Sequence, residues 1–224
     1  MRRNIEEKVK KFEYHKKNCE KMVDALKSLL EESDIIDAGS NVGFFSQSIA
    51  EKVKYNSIHL FEPSKEYCEY SAEALQNYKD IYINNFGLGD AAETKILYKS
   101  PTENLGWNTF LEADPYQKDN SFLDKMIKEE CVIKRLDDYK IDNVDFIKID
   151  VEGFEHKVIS GGLNLIQKFK PVLFVEVGWG VNHPNWSECE KVYNKLFEIG
   201  YKKVNFGPHT QDVLFVLDTV HKNN

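Results

Sequence analysis

The run Asp145-Phe-Ile-Lys-Ile-Asp150-Val-Glu152-Gly153-Phe-Glu155-His156 gathers carboxylates, a lysine and an imidazole in one short stretch. Its apolar residues around Lys148 predict a buried strand ending at Asp150, and Gly153 lets the chain turn from there into a helix. A carboxylate at the carboxyl end of a central strand stands where open α/β sheets put their chemistry. It can take the proton of a hydroxyl nucleophile. Glu152 and His156 are spaced i, i+4 and share a face if the helix begins that early. The ordinary pKa of an imidazole suits proton transfer. Glu176 ends a Phe-Val-Glu strand expected beside the Asp150 strand. The candidate catalytic set is Asp150, His156, Glu176 and Glu152. The same oxygens suit a hard divalent ion, magnesium or manganese, with Asp150 and Glu176 as ligands. Base and metal both stay open on spacing alone.

A second strand end carries glycines, in Ile35-Ile-Asp37-Ala-Gly39-Ser40-Asn41-Val-Gly43-Phe44. A dinucleotide fingerprint would need glycine at the positions of Gly39, Asn41 and Phe44, and only the first is glycine. The loop suits a ligand without a pyrophosphate. Gly39 makes the turn, Asp37 can accept from an ammonium, and Gly43 lets the chain pass near the ligand. S-adenosylmethionine meets these terms, because its amino acid end carries both an ammonium and a carboxylate. Glu62 ends the following strand, where a carboxylate can hold both ribose hydroxyls. The plainer readings are a strand-to-helix turn and an exposed acid. Trp107, Trp179, His183 and Trp186 lie in loops expected to rim the same sheet edge, where aromatic faces stack on sugar rings. Tryptophans in loops serve equally well as packing anchors.

The elements that must position these groups alternate. Strands are expected at Asp34–Ala38, Ser57–Phe61, Ile81–Asn85, Thr94–Tyr98, Cys131–Arg135, Asp145–Asp150, Pro171–Val177, Tyr201–Phe206 and Asp212–Leu217. Helices fall at Phe44–Val53, from a Ser64 cap to Tyr78, at Glu155–Gln167 and at Ser187–Ile199. Strand-helix alternation predicts a mostly parallel sheet with helices on both faces. The last two strands read as a hairpin that adds an antiparallel edge strand. Residues 99–130 read as irregular and functional. Residues 1–33 read as an amphipathic helix, an extension packed at the edge of the domain or over its cofactor mouth, with residues 34–224 as the domain proper.

Taken in order, Asp37-x-Gly39-x-Asn41-x-Gly43, Phe61-Glu62-Pro63, Asn85-x-Gly87-Leu-Gly89-Asp90, Leu136-Asp137-Asp-Tyr139 and Phe146-Ile-Lys148-Ile-Asp150-Val-Glu152-Gly153-x-Glu155 resemble the FkbM family of S-adenosylmethionine-dependent methyltransferases. The resemblance runs from about Asp34 to Leu217; Ala38, Ser40 and Phe86 depart from commoner neighbours. It implies a Rossmann-like class I methyltransferase fold, α/β, with a seven-stranded mostly parallel sheet and an antiparallel C-terminal strand. It implies O-methyl transfer, mostly to sugar hydroxyls of natural products or glycans. Asp37, Gly39, Asn41 and Gly43 would hold the amino acid end of the cofactor, Glu62 the ribose, and Asn85 with Phe86 would lie by the adenine. Ser40, Phe44, Pro63 and Asp150 would be further cofactor contacts. Trp107, Trp179 and His183 would meet the acceptor. Such domains often work with, or are fused to, glycosyltransferases. Rival readings are methylation of a non-sugar natural product, a non-catalytic cofactor-binding module and a nicotinamide oxidoreductase.

The bulk numbers bound these readings. The 224 residues suit one domain with a full core, and the net charge of −7 argues against binding a phosphate backbone. Cys19, Cys68, Cys131 and Cys189 form no C-x-x-C or zinc spacing and read as scattered reduced thiols. No apolar run approaches the ~20 residues needed to cross a bilayer, and no signal-peptide core follows the charged N-terminus. A cytoplasmic location is expected.

Overall fold

A computed structural model describes residues 7, 9–10, 12–102, 105–112, 120–178, 180–206 and 211–217. Eleven strands form two sheets among these residues, and six α-helices pack on them. The strands are β1 (Asp34–Ala38), β2 (Ser57–Phe61), β3 (Ile81–Asn84), β4 (Gly87–Gly89), β5 (Glu93–Lys99), β6 (Asn108–Thr109), β7 (Ile127–Arg135), β8 (Phe146–Ile149), β9 (Val172–Glu176), β10 (Tyr201–Asn205) and β11 (Asp212–Leu217). The helices are α1 (Glu13–Leu30), α2 (Phe44–Lys52), α3 (Lys65–Leu75), α4 (Glu155–Gly161), α5 (Leu163–Phe169) and α6 (Trp186–Ile199).

The main sheet has seven strands in the order β10-β11-β9-β8-β1-β2-β3. β1, β2, β3, β8 and β9 pair in parallel, and β11 runs antiparallel to both β9 and β10. Successive residues of a strand point to opposite faces, so the apolar pairs at its centre feed two cores. Ile36, Ile147 and Leu173 join Val158, Ile159, Ile166 and Leu196 of α4, α5 and α6. Ile35, Phe146 and Phe174 join Val23, Leu26, Phe45 and Ile49 of α1 and α2. Sheet faces covered on both sides explain why the central strands read as unbroken apolar runs rather than alternating ones.

Four expectations change. The reversed strand is not the edge: β11 slots between β9 and β10, with Val213 and Phe215 fully buried. β10 takes the edge, and its exposed Lys202 and Lys203 suit an edge strand. The region read as irregular contributes to a second sheet, β4-β7-β5-β6, in which β7 begins at Ile127, four residues before the expected start. The helix expected over Glu155–Gln167 is two helices meeting at Gly162. Beside that break, a Cβ on Gly161 would lie 1.8 Å from the Gly89 carbonyl oxygen, so β4 crosses against bare helix backbone. Ser64 precedes α3 without capping it; its hydroxyl donates instead to Glu129 of β7.

Candidate active site

The carboxyl ends of β1, β8 and β9 bring Asp37, Asp150 and Glu176 to one side of the sheet. Lys148, buried in the middle of β8, organises them. Its Nζ lies 3.2 Å from Asp150 Oδ2, 3.4 Å from Asp37 Oδ1 and 3.4 Å from the Gly39 carbonyl oxygen. Burial pulls the lysine pKa down, but the charges of Asp150 and Asp37 override it and hold the group above its ordinary value. Asp37 has no exposed surface and takes a 2.7 Å hydrogen bond from Ser46 on its other oxygen. Its Oδ1 is near the ammonium but off the line of any hydrogen bond, so charge attraction carries that contact. Its ammonium partner is Lys148, within the chain.

Asp150, Glu152 and Glu176 each present an oxygen within 4.8 Å of the others. Burial first, and the neighbouring Asp150 charge next, raise the pKa values of Glu152 and Glu176 well above the ordinary carboxylate value. Glu176 Oε2 is buried without a hydrogen-bond partner, so crowding by the neighbouring acids and burial both favour its neutral form. The turn beneath is set by backbone and by Glu155. Glu152 and Gly153 have φ of +53° and +97°. Buried Glu155 accepts from the Val151 and Gly153 amides at 3.0 Å each. Thr109 of β6 donates to the Glu152 carbonyl at 2.6 Å, tying the second sheet to the same turn.

Beside this cluster lies a cleft, partly open to solvent. Gly39, Asn41, Glu62, Pro63, Gly87, Leu88, Phe110 and Glu152 line it. Gly39 has φ +78°, and a Cβ there would come 1.9 Å from the Asp150 carbonyl oxygen, so glycine alone lets β1 and β8 end side by side. Glu62 is buried, and its two oxygens accept from the Asn41 and Ser64 amides at 2.9 and 2.8 Å. Burial pushes its pKa up to about 7 against those hydrogen bonds. Asn41 itself, at φ +53°, donates to the Leu105 carbonyl at 2.6 Å. The buried Ser40 hydroxyl has no partner.

Other expected contacts fall elsewhere. Gly43 faces Ser71, whose Oγ would lie 2.8 Å from an added Cβ, so it admits α3 rather than a ligand. Phe44 is buried beside Phe12, Tyr67 and Leu105. The Asn85 amide donates to the Glu62 and Pro63 carbonyls, bracing the strand end, and Phe86 packs edge-on against Phe61. Neither lines the cleft; Gly87 and Leu88 do. His156 is 2% exposed, and burial with the neighbouring His183 lowers its pKa to about 4, so it cannot reach an acceptor as a base. His183 is buried and holds the Gly153 carbonyl at 2.6 Å, instead of rimming the cleft. Trp107 is half-buried next to Gly106 and Asn108 of the lining. Trp186 stands edge-on to Tyr193 of α6, and Trp179 lies outside the described residues.

Sequence reasoning passed over Lys148 and Glu155. A lone lysine in an apolar strand was the available signal for the first. The N-terminal helix was expected at the edge of the domain or over the cofactor mouth. Phe12 stacks on His15 at 3.6 Å and packs over Phe44, while the Asp150 charge acts on His15 and Cys19 of α1.

A family model for the methyltransferase FkbM domain matches residues 37–203. An FkbM methyltransferase from Methylobacillus flagellatus KT superposes with a TM-score of 0.56 at 18% identity, over 82% of this chain and 43% of that one. This chain therefore spans less than half of that protein. A putative methyltransferase from Streptococcus mutans, SMU.1697c, solved with S-adenosylhomocysteine, superposes with a TM-score of 0.50 at 10% identity, over 86% and 92% of the two chains. No curated protein sequence matches the chain. The two superpositions support the fold. The family match, over most of the chain and starting at Asp37 of the glycine-rich strand end, supports more: the chain belongs to the FkbM methyltransferase family.

Proposed function

We propose that the chain moves a methyl group from S-adenosylmethionine to a hydroxyl oxygen, with a sugar or deoxysugar of a glycan or glycoconjugate as acceptor. The observation that carries this reading is the cluster of Asp150, Glu152 and Glu176, their carboxylate oxygens within 4.8 Å of one another, beside a cleft lined by Glu62 and Glu152. The residues fit S-adenosylmethionine. Ser40 offers a buried hydroxyl without a partner, Gly39 keeps the floor bare, and Glu62 keeps spare lone pairs for a ribose diol. Hydroxyl as the acceptor atom rests on the acids, and a sugar as its carrier rests on the family resemblance and on Trp107 beside the lining.

S-adenosylmethionine supplies a methyl already activated on a cationic sulfur. What the chain must supply is alignment and a destination for the hydroxyl proton. Asp150, steadied by Lys148, receives that proton as the new O–C bond forms and the C–S bond breaks, leaving S-adenosylhomocysteine. Glu176, within 4.8 Å of Asp150, assists from the next strand. His156 drops out of the assisting role because it is buried away from the cleft. The acid cluster also matches a magnesium or manganese site. The Lys148 ammonium, 3.2 Å from Asp150, already provides one counter-charge there, which supports the metal-free reading.

The test is turnover with S-adenosylmethionine and a panel of sugar and non-sugar hydroxyl acceptors. Asp150→Asn should lower kcat by about 10²–10⁴-fold while leaving cofactor affinity intact. Full residual activity in that variant removes Asp150 from the chemistry. Activity lost to a chelator and restored by magnesium would replace the free base with a metal. No helix among the described residues is long and apolar enough to cross a membrane, and we keep a cytoplasmic setting without nucleic acid as part of the proposal.

A further inference from the structure

Next to the Gly153 turn, one nitrogen each of His156 and His183 and the sulfur of Cys189 lie within 4.8 Å of one another. All three side chains are at least nine-tenths buried. They come from α4, from the loop before α6 and from α6 itself. Both ring nitrogens of His156 are buried without a hydrogen-bond partner. An imidazole has at least one N–H and one lone pair to satisfy, and burying it unpaired is unfavourable. Nothing in the proposed methyl transfer uses it. An unpartnered imidazole aimed at a second imidazole and a thiol is explained by a ligand that accepts nitrogen and sulfur donors together.

We propose that His156, His183 and Cys189 supply three ligands to a zinc-type divalent ion, with water as the fourth of the tetrahedron, and that the ion locks the Gly153 turn in place. The separations favour it. Zn–S near 2.3 Å and Zn–N near 2.0 Å in a tetrahedron put a sulfur and a nitrogen about 3.5 Å apart, and Cys189 Sγ lies 3.6 Å from His183 Nδ1. Drawing His156 in requires only that the 4.8 Å spread contract. The outer contacts favour it as well. Ligating histidines characteristically donate their other ring N–H to a carbonyl or carboxylate. His183 Nε2 does so to the Gly153 carbonyl at 2.6 Å, which leaves Nδ1 as the donor atom. Nδ1 now accepts from the Asn185 amide at 2.9 Å, and the ion would take over that lone pair. The thiol would lose its proton to solvent as the Zn–S bond forms. Soft thiolate with imidazole selects zinc over magnesium or calcium, so this site is chemically distinct from the oxygen cluster of Asp150, Glu152 and Glu176. Its consequence runs through Gly153, whose carbonyl would be fixed by a metal-bound imidazole directly beneath the acid turn.

The experiment is titration of chelator-stripped protein with Co²⁺ as a spectroscopic substitute, followed by Zn²⁺ competition. The expected result is one equivalent bound, with a thiolate-to-cobalt charge-transfer band and the visible bands of tetrahedral cobalt. Cys189→Ser should abolish the charge-transfer band. His156→Gln should weaken binding about a hundredfold or more, beyond the ten- to hundredfold loss expected of an outer contact. Glu176→Gln should change neither, which separates this site from the oxygen cluster. A thiolate band that survives Cys189→Ser belongs to another cysteine and overturns the proposal, as does cobalt bound without such a band. If a variant does not fold, the wild type decides: Zn²⁺ at a hundredfold its Kd must raise Tm, and an unchanged Tm with no bound equivalent refutes the site.

Discussion

Removing the Lys148 ammonium tests whether Asp37 is a structural partner or a cofactor ligand. Lys148→Met keeps the length of the side chain and deletes its charge. Asp37 would then sit fully buried with the Ser46 hydroxyl as its remaining hydrogen bond. At 3.4 Å the gross attraction is about 5 kcal/mol for an effective dielectric constant of 20. The Asp150 contact adds less, because that carboxylate is partly exposed to solvent. Breaking a buried pair by removing one partner typically destabilises by about 3–5 kcal/mol, equivalent to a fall in Tm of roughly 10 °C for a chain of this size. Urea unfolding followed by circular dichroism measures it. The double variant Asp37→Asn/Lys148→Met removes both charges and should recover more than half of the loss, since an uncharged pair leaves no stranded carboxylate. Asp37→Asn alone should leave S-adenosylmethionine affinity within a few-fold of wild type. A loss under about 1 kcal/mol in Lys148→Met, or a double variant no more stable than the single, refutes the buried-pair argument. A tenfold or greater drop in cofactor affinity in folded Asp37→Asn restores Asp37 to the ligand shell.

Glu62 gives a pH dependence. Its folded-state pKa, about 7, is raised above the unfolded value, so its contribution to stability is full below about pH 4 and is lost as pH rises through 7. Cofactor binding has the opposite sign, because the ribose hydroxyls need the ionised acceptor. Affinity by calorimetry should climb from pH 5 to 7 and level off above, and a flat profile in the wild type counts against a ribose role for Glu62. Glu62→Gln should bind weakly at every pH. Gly39→Ala should destabilise by about 4 kcal/mol or more, since the added carbon meets the Asp150 carbonyl at 1.9 Å and φ is +78°. Gly180→Ala, at φ +47° with open space around it, should lose only about 1 kcal/mol; equal thermal shifts for the two would contradict the close-approach argument. Phe12→Ala, which opens the contact of Phe12 with Phe44, should lower stability by about 3 kcal/mol and weaken cofactor binding if α1 roofs the cleft. Unchanged affinity would confine that helix to packing.

The main sheet was legible because its strands are short apolar runs with sharp ends. β1, β2 and β11 begin and end where the pattern predicted, the second of these bounded by Glu62-Pro63. The second sheet was legible only in part: strands were expected at Thr94–Tyr98 and Cys131–Arg135, but β4, β6 and the first half of β7 were not. β5 places Glu93, Lys95 and Lys99 on the same face as its buried Leu97, while β7 turns Lys128, Glu130 and Lys134 away from its buried Cys131 and Ile133. A weak alternation in a polar segment hides the ends of a strand until its partner is known. The break at Gly162 was likewise invisible, since a local pattern does not reveal the crossing of β4 over Gly161.

The site divides along the same line. Which residues cluster at the strand ends could be read from the chain, because position along a buried strand fixes the end a carboxylate occupies. What each carboxylate does there depends on partners distant in sequence. Asp37 and Lys148 are 111 residues apart, yet they lie in register across β1 and β8, and that pairing gives Asp37 a buried counter-ion the chain alone does not reveal. His183 looked like a rim residue because it lies among polar loop residues; its ring instead turns inward to the Gly153 carbonyl. Thr109, His183 and Glu155 approach the Glu152–Gly153 turn from three different elements, and each spends a hydrogen bond on its backbone. Glu152 holds a left-handed conformation that a residue with a side chain adopts at a cost of about 1 kcal/mol or more. Three converging hydrogen bonds outweigh that strain, so the acid turn is a conformation imposed by its surroundings. Its geometry could not have been read from the residues that form it.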